Sequence, residues 1–498
     1  MLGWKGRGES LLFERAGGHV HQGVRLMLAW LPGIPVERLR WAGYLSIIAA
    51  IFLTWPGSFP LDDAYISLHN AQSLLAGWDY TFDTDPLVGA TSPVHLALLS
   101  LFGLVLPLPL AAIVLCGIAA ILYAAGLEAL VVKAGARGWR IPVLVGIGLL
   151  IGTLPIQLAN GLETGLAMAT VAWLVALEDD RRLPLLAGLA PFIRPELGLL
   201  SAAVILRRII GRPPAESVKI VALAMASAMP WTIWVWLVTG HPLPTTASAK
   251  IAFYADTDTP LFERLHALGF ALLESKLAPL VALGSVGFLR SGGWPCKVFV
   301  AGVLGVSMTE LPHSVDFNDA RYLAPLMPIF VAGLAAWRRT ESAIVLVAAW
   351  TLFWAPSDLH RLQSERQFDK RQLALVGQMT APLPAGARVL IHDAGMVAWA
   401  APRLHLVDAV GLETPSSISW HEKFTKEACA WSRALDHIAR EGRVHYALIL
   451  EQPFWRCIGE NLAQAGWRLT PLPSSGSVYQ LFRLTAPASI GERDRNKG

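Results

Sequence analysis

The stretch Pro93-Val-His-Leu-Ala-Leu-Leu-Ser-Leu-Phe-Gly-Leu-Val-Leu106 decides the topology of the chain. It is almost entirely apolar, but its roughly 14 residues are too few for a membrane-spanning helix, which needs about 20. We therefore expect a re-entrant or interfacial helix here. With that interpretation, Asp62 and the basic loop 133–140 lie on opposite sides of the membrane.

The composition of the chain is that of an integral membrane protein. Of its 498 residues, 54% are hydrophobic and 16% are charged, whereas soluble domains carry about 25% charged residues. Four cysteines are too few for a disulfide-rich secreted module, and the apolar content excludes a disordered chain. The net charge of +4 is too small to predict a nucleic-acid partner.

Apolar stretches predict a polytopic α-helical membrane protein with about eleven transmembrane helices. They lie at 41–56, 110–132, 141–158, 162–177, 183–193, 197–210, 218–238, 277–289, 298–311, 322–337 and 343–355. Residues 1–40 are mixed and basic, without the cleavage site of a signal peptide, so we expect a cytoplasmic N-terminal segment. The predicted domains are therefore 1–40, a membrane module at 41–356 with its first outer loop at 57–93, and an outer domain at 357–498.

The distribution of basic residues sets the predicted orientation. Loops assigned to the cytoplasm carry about 19 Lys and Arg, and the opposite loops carry about five. The positive-inside rule then places the N-terminus in the cytoplasm and residues 357–498 outside.

The outer domain has the sequence pattern of a small α/β fold. Strands are expected at 387–392, 444–450 and 478–483, and helices at 425–440 and 453–466. Cys429 and Cys457 lie in this domain, in a compartment that permits disulfides, and the sequence leaves open whether they are bridged or separately buried.

Two adjacent acids, Asp62 and Asp63, directly follow the first predicted span. The loop 57–93 contains five aspartates and no Lys or Arg. Adjacent carboxylates at a membrane boundary repel one another, so one of them should have a raised pKa. This pair is a candidate general base or ligand of a divalent cation.

Further polar residues recur at the outer ends of the predicted spans. Such residues are costly at membrane depth and indicate function. We expect the cations to bind the phosphate of an anionic lipid head group and the other residues to bind a sugar or acceptor. The cations are Lys250, Arg194 and Arg321, and the sugar- or acceptor-binding candidates are Glu163, Glu196, His313 and Asp319.

A series of motifs in this order resembles the GT-C glycosyltransferases of bacteria, and within them the terminal arabinofuranosyltransferase-like enzymes of mycobacterial cell-wall synthesis. The resemblance runs from about residue 41 to 485. It is carried by Asp62-Asp-Ala-Tyr-Ile-Ser-Leu68, Gly89-Ala-Thr-Ser-Pro93, Gly161-Leu-Glu-Thr164, Arg194-Pro-Glu196, Pro244-Thr-Thr246, Arg321-Tyr-Leu-Ala-Pro-Leu-Met-Pro328, Asp393-Ala-Gly395 and Asp408-Ala-Val-Gly-Leu412.

The resemblance implies a GT-C-like enzyme of the bacterial cytoplasmic membrane with a periplasmic outer domain. It implies inverting transfer of a sugar, such as the pentofuranose arabinose, from a polyprenyl-phosphate carrier to a cell-envelope glycan or lipid. A first-loop aspartate is then the base, and Asp62 with Glu163 is a candidate site for Mg²⁺, Mn²⁺ or Ca²⁺. No glycine-rich nucleotide-binding motif is present, which favours a lipid-linked donor.

The sequence departs from the family pattern in the first loop. Residues 85–90 lack the glutamate expected there, and His69 stands where an arginine is common. These differences leave the sugar and the acceptor open.

Two other functions are weighed against this one. A secondary transporter is disfavoured because the halves show no repeat and the ionisable residues lie at span ends. A non-catalytic scaffold for envelope assembly would tolerate replacement of Asp62 and Asp63, which an enzyme would not.

Overall fold

The structure, a computed structural model, describes residues 35–240, 244–255, 259–309, 317–337, 341–474 and 476–487. The candidate site residue His313 lies outside the described residues. Packing divides the chain into two units, Met1–Ser46 and Ile47–Gly498. The candidate site belongs wholly to the second unit.

The protein is mostly helical, with one small sheet near the C-terminus. In chain order the helices of the membrane module are α1 (Val36–Phe52), α2 (Asp62–Ala76), α3 (Pro93–Gly103), α4 (Leu108–Lys133), α5 (Arg140–Leu150), α6 (Leu154–Leu158), α7 (Thr164–Ala176), α8 (Leu183–Leu189), α9 (Leu197–Ile209), α10 (Pro214–Thr239), α11 (Thr246–Phe253), α12 (Leu261–Glu274), α13 (Ala278–Ser291), α14 (Trp294–Thr309), α15 (Met327–Ala336) and α16 (Glu341–Thr380).

The prediction of eleven spans is not confirmed. Within the described ranges, three helices are long and apolar enough to cross a membrane: α4, α10 and α16. A fourth span results if α12 and α13, which meet at a bend of 110°, count as one. The other predicted spans correspond to helices of 17 residues or fewer. Helix α3, which was predicted not to span the membrane, has 11 residues.

Glycine explains one of the interruptions that shorten the predicted spans. The stretch predicted as one helix over 141–158 is divided into α5 and α6, and Gly152 lies between them with a φ of +54°. A Cβ atom there would stand 1.9 Å from the Ser275 carbonyl oxygen. The break therefore allows the backbone of the α12–α13 turn to approach closely.

Helix α16 joins the membrane module to the outer domain without a break. It has 40 residues and contains Pro356, so the composition change predicted as a boundary at 356–357 falls inside one helix. The hydropathy changes because the two halves have different surroundings. Its second half contacts the outer domain, where Gln372 Oε1 accepts hydrogen bonds from the Ser477 hydroxyl and the Val478 N–H.

The outer domain contains a five-stranded sheet flanked by helices. Its strands are β1 (Arg388–Ile391), β2 (His405–Asp408), β3 (Tyr446–Leu450), β4 (Arg468–Pro471) and β5 (Tyr479–Thr485), in the order β2-β1-β3-β5-β4. Strand β1 is parallel to β2 and β3, and β5 is antiparallel to β3 and β4. The helices are α17 (Ala394–Ala400), α18 (Ser416–Phe424), α19 (Ser432–Glu441) and α20 (Pro453–Gln464).

The sequence predicted β1, β3, β5 and α20 correctly, but the helix expected at 425–440 begins only at Ser432. Cys429 has a φ of +66°, which a helix does not accept, and it forms a disulfide with Cys457 on α20. The Asn461 amide also donates to the Cys429 carbonyl oxygen at 2.8 Å. These contacts hold residues 425–431 as a loop.

Sidedness can be tested at two exposed positions on either side of α3. In a background with Cys116 and Cys296 replaced by Ser, we expect Tyr80→Cys to react with an impermeant maleimide from outside. Arg137→Cys should react only after permeabilisation, because the positive-inside rule places it in the cytoplasm. Both side chains are exposed, Tyr80 by 76%. Labelling of both from one side would contradict the re-entrant interpretation of 93–106.

Candidate active site

Asp62 connects the first loop to the outer domain. It is the first residue of α2, and its carboxylate accepts the Met396 N–H at 2.5 Å and the Gly395 N–H at 3.3 Å. These groups belong to the first turn of α17, where N–H groups lack partners within the helix. A Cβ atom at Gly395 would lie 2.3 Å from the Asp62 carbonyl oxygen, so the two helices meet at a glycine.

Burial raises the pKa of the Asp62 carboxyl well above its usual range. The neighbouring carboxylates of Asp393 and Asp63 raise it further, while the two backbone N–H bonds oppose them. A carboxyl with a raised pKa is a stronger base when ionised, as general-base catalysis requires. The sequence expectation that one acid of the pair has a raised pKa is met at Asp62.

Asp63 has the opposite electrostatic environment. Its Oδ2 lies 2.7 Å from Arg321 Nη1 and accepts a long hydrogen bond of 3.5 Å from the Asn318 amide. Burial would raise the pKa of this carboxyl, but Arg321, Lys250 and Arg194 outweigh burial and lower it. Asp63 is therefore ionised and paired with cations.

The three predicted phosphate-binding cations converge on Tyr322. The Lys250 ammonium lies 2.9 Å from the Tyr322 hydroxyl. The charged groups of Arg194, Lys250 and Arg321 stand 5.2, 5.7 and 5.4 Å from the centre of the Tyr322 ring. Sequence reasoning gave no role to Tyr322, although it is adjacent to Arg321 in a motif.

The structure separates the predicted sugar-binding acids into two groups. Arg194 lies 2.5 Å from Glu196 Oε1 through Nε and 3.6 Å from Glu163 Oε1 through Nη1. These two acids belong to the cation cluster. Asp319 instead pairs with Arg361 on α16 and does not line either cavity described below.

A small polar cavity lies on the membrane-module side of Asp63. This first cavity measures about 50 Å³. It brings together four residues selected from the sequence: Asp63, Glu163, Lys250 and Arg321. The hydroxyl groups of Ser67, Thr91, Ser92 and Thr246, the Asn70 amide and the His95 imidazole complete its polar lining.

A larger second cavity lies between the membrane module and the outer domain. It measures about 450 Å³ and is lined by Asp62, Asp63 and Lys250 on the membrane-module side. The outer domain lines it with residues that sequence reasoning missed as site residues: His392, Asp393, Val410, Leu412, Gln452, Phe454 and Trp455. Asp63 and Lys250 line both cavities, so the two adjoin.

Asp393 is held as a carboxylate by two donors. Its Oδ2 accepts the Tyr479 hydroxyl at 2.5 Å, and its Oδ1 lies 3.1 Å from His392 Nδ1. His392 Nε2 accepts the Leu450 N–H at 3.0 Å, so Nδ1 must carry the hydrogen. Burial would raise the pKa of Asp393, but His392 and Tyr479 outweigh it and lower the pKa. Among Asp62, Asp63 and Asp393, a shared proton is held by Asp62.

The residues present do not make an evident metal centre. Among the described residues, no group of three or more His, Cys, Asp or Glu side chains is placed to hold a metal ion. Asp62 lines the second cavity and Glu163 the first, and neither lines both. The divalent-cation site at these two acids stays a prediction.

The disulfide left open by the sequence is present in the structure. Cys429 and Cys457 are bonded, with Cα atoms 5.4 Å apart. Phe454 and Trp455, which line the second cavity, lie on the first turn of the same helix as Cys457. The bond thus ties α20 to the 425–431 loop close to the site.

The close approach at Gly395 gives a test of the joint between α2 and α17. We expect Gly395→Ala to destabilise the protein by about 1–3 kcal/mol, because its Cβ would overlap backbone atoms of Asp62 and Ile66. Gly377→Ala on α16 is the control, since its Cβ would meet nothing closer than 3.6 Å. Thermal unfolding in detergent measures both, and equal melting temperatures would contradict the tight joint.

One family model matches the C-terminal part of the sequence. The family described as a domain of unknown function, DUF8728, matches residues 360–489, which covers the outer domain and the end of α16. No curated protein matches the chain.

Solved structures show the fold. The crystal structure of ArnT from Cupriavidus metallidurans bound to undecaprenyl phosphate aligns with a TM-score of 0.57 at 11% identity, over 91% of this chain and 98% of that one. Its apo state gives 0.55 at 11% identity, over 90% and 98%. The apo oligosaccharyltransferase of Archaeoglobus fulgidus, at 11% identity over 86% and 71%, reaches only 0.47, too low to support an argument. The chain has the GT-C fold seen in ArnT, as the sequence motifs indicated, whereas the arabinofuranosyltransferase subgroup is not confirmed.

Proposed function

We propose that this protein is a membrane glycosyltransferase that moves a sugar from a polyprenyl-phosphate carrier to an acceptor hydroxyl. The observation that carries the proposal is the convergence of an acid pair, Lys250 and Arg321 on two adjoining cavities, with Arg194 close by at the Tyr322 ring. The fold supports it, because ArnT, which shares that fold, was crystallised with undecaprenyl phosphate.

The cation cluster is suited to a phosphate. Arg194 and Arg321 are buried, and together with Lys250 they bring three positive charges to one tyrosine ring. In the structure these charges are offset by Asp63, Glu163 and Glu196. A phosphodiester next to Lys250 and Arg321 would be stabilised by charge-assisted hydrogen bonds, both before and after the sugar leaves.

We propose that Asp62 acts on the acceptor. It lines the second cavity and does not line the small polar cavity that Arg321 lines. A carboxylate has about four lone-pair sites, so the two N–H bonds leave it able to accept a proton. In an inverting step, the acceptor oxygen bonds to the anomeric carbon and gives its proton to Asp62. The bond from that carbon to the phosphate oxygen breaks, and polyprenyl phosphate departs.

The proposed membrane orientation rests on the distribution of Lys and Arg between the loops, and the proposed sugar and acceptor rest on the sequence motifs. We propose that the outer domain faces the outside of the bacterial cytoplasmic membrane and that the short apolar helices complete further spans. A pentofuranose donor and an envelope glycan or lipid acceptor rest on the resemblance to the arabinofuranosyltransferase-like group. Replacement of Asp62 and Asp63 distinguishes this function from the scaffold alternative, because a scaffold would tolerate it and an enzyme would not.

The cation cluster yields a binding prediction. Lys250→Gln should weaken binding of undecaprenyl phosphate about 10- to 100-fold, because a hydrogen bond to a charged group contributes about 1.5–3 kcal/mol. Arg361→Gln is the control, since Arg361 pairs with Asp319 and Glu365 and lines neither cavity. Binding is measured with protein in nanodiscs. Equal affinities of the two variants would contradict a phosphate site at Lys250.

The catalytic assignment predicts that Asp62→Asn lowers turnover about 100- to 10,000-fold, because the variant cannot accept a proton. Undecaprenyl phosphate binding should be unchanged. Turnover is the release of undecaprenyl phosphate from a synthetic undecaprenyl-phosphate-linked pentose in nanodiscs, with a membrane glycan extract as acceptor. Near-normal turnover in both Asp62→Asn and Asp63→Asn would overturn the enzyme assignment in favour of a scaffold.

The same assignment predicts the pH dependence. Turnover should fall as the pH drops through the raised pKa of Asp62, since the protonated acid is not a base. Asp393→Asn removes a negative charge that raises this pKa, so the falling limb should move to lower pH. If turnover of Asp393→Asn falls at the same pH as that of the wild type, Asp62 is not the base whose protonation lowers turnover.

A further inference from the structure

We infer that the outer domain supplies a saccharide-ring subsite for the acceptor, located where the carboxyl ends of β1 and β3 meet the second cavity. The inference deepens the proposed function and rests on it for the word acceptor. The outer domain then contacts the acceptor directly, in addition to packing against the membrane module.

The strand order places a crevice at this point. Strand β1 connects through α17 to β2 on one side, and the chain then crosses to β3 on the other side of β1. The direction of winding therefore reverses between β1 and β3. In α/β sheets, ligands bind outside the carboxyl ends of the strands at such a reversal.

The residues at the second cavity come from these strand ends. His392 follows β1, Val410 follows β2, and Gln452 follows β3. The hydrogen bond from the Leu450 N–H to His392 Nε2 joins the ends of β1 and β3. The crevice expected from the topology thus coincides with the cavity that contains Asp62.

The usual anion position of this crevice is already occupied. The N–H groups of Gly395 and Met396, at the start of the helix after β1, bind the Asp62 carboxylate of the same chain. The helix after β1 therefore has no free N-terminus for a nucleotide phosphate.

The lining of the second cavity matches a sugar ring. Four aromatic side chains contact the cavity, two from the outer domain and two from the membrane module: Phe454, Trp455, Tyr254 and Phe317. We call this set the aromatic wall. The negative face of an aromatic ring attracts the C–H groups of a sugar face, while amide and carboxylate groups bind its hydroxyls. Gln452, Asn318 and Asp393 provide such polar groups at the same cavity.

The position of the second cavity favours binding of the acceptor there over binding of the polyprenyl-phosphate carrier. Arg321 lines the first cavity and does not line the second, whereas Asp62 lines only the second. A ring held by the aromatic wall would therefore present its hydroxyl to the base. The size of about 450 Å³ falls within the range for small-molecule sites.

A matched pair of tryptophans tests this inference. Trp455 stacks on His392 with ring centres 4.0 Å apart, and Trp420 stacks on His437 at 4.1 Å, but Trp420 does not line the cavity. The full-length protein in nanodiscs is titrated with a panel of methyl pentosides and hexosides, followed by saturation-transfer NMR. We expect at least one glycoside to bind, with Trp455→Leu weakening it ten-fold or more and Trp420→Leu leaving it unchanged.

A second variant tests the same subsite with a substitution that should not disturb folding. Gln452→Ala changes an exposed residue at the cavity, so it should fold normally and also weaken glycoside binding. Excess undecaprenyl phosphate should leave glycoside binding intact. No binding by the wild type, equal binding by Trp455→Leu and Gln452→Ala, or displacement by undecaprenyl phosphate would each overturn the inference. Because this assay needs no turnover, its failure is distinct from failure of the Asp62→Asn test.

Discussion

The contact between Asp62 and the first turn of α17 is the constraint on which the site depends. It joins residues 333 and 334 positions apart and brings the membrane module against the outer domain. Gly395 permits the approach because any side chain there would overlap the backbone of α2. At this joint, Asp62 and the outer domain both line the second cavity, and the burial of Asp62 there raises its pKa.

Around this joint, charge is balanced separately on each side of Asp63. Toward the membrane module, Arg194 and Arg321 are offset by Glu163, Glu196 and Asp63. Buried charges are tolerated only when paired, and each of these two cations has an acidic partner. Under the proposed function, a phosphate bound at Arg321 would share that cation with Asp63, the neighbour of Asp62.

Toward the outer domain, Asp393 plays a different part. Tyr479 and His392 hold it ionised, and its charge adds to the effect of burial in raising the pKa of Asp62. The α/β sheet thus affects the membrane module through electrostatics as well as through contact. The Asp393-Ala-Gly395 motif thus lies against the acid pair, although it comes about 330 residues later in the chain.

The sequence by itself determined the elements that depend on short-range patterns. Apolar runs predicted most membrane helices to within a few residues and also three strands of the sheet. The clustering of charges at span ends selected Asp62, Asp63, Lys250, Arg194 and Arg321. Tertiary structure decided what those residues do. Apolar length alone could not show that Gly152 divides one predicted span where the Ser275 carbonyl approaches. Eleven spans were expected, whereas three or four helices in the described part of the chain are long enough. The contrast between Asp62 and Asp63 and the aromatic wall both come from contacts between distant parts of the chain, because pKa values and cavities depend on neighbours in space, which local sequence patterns do not specify.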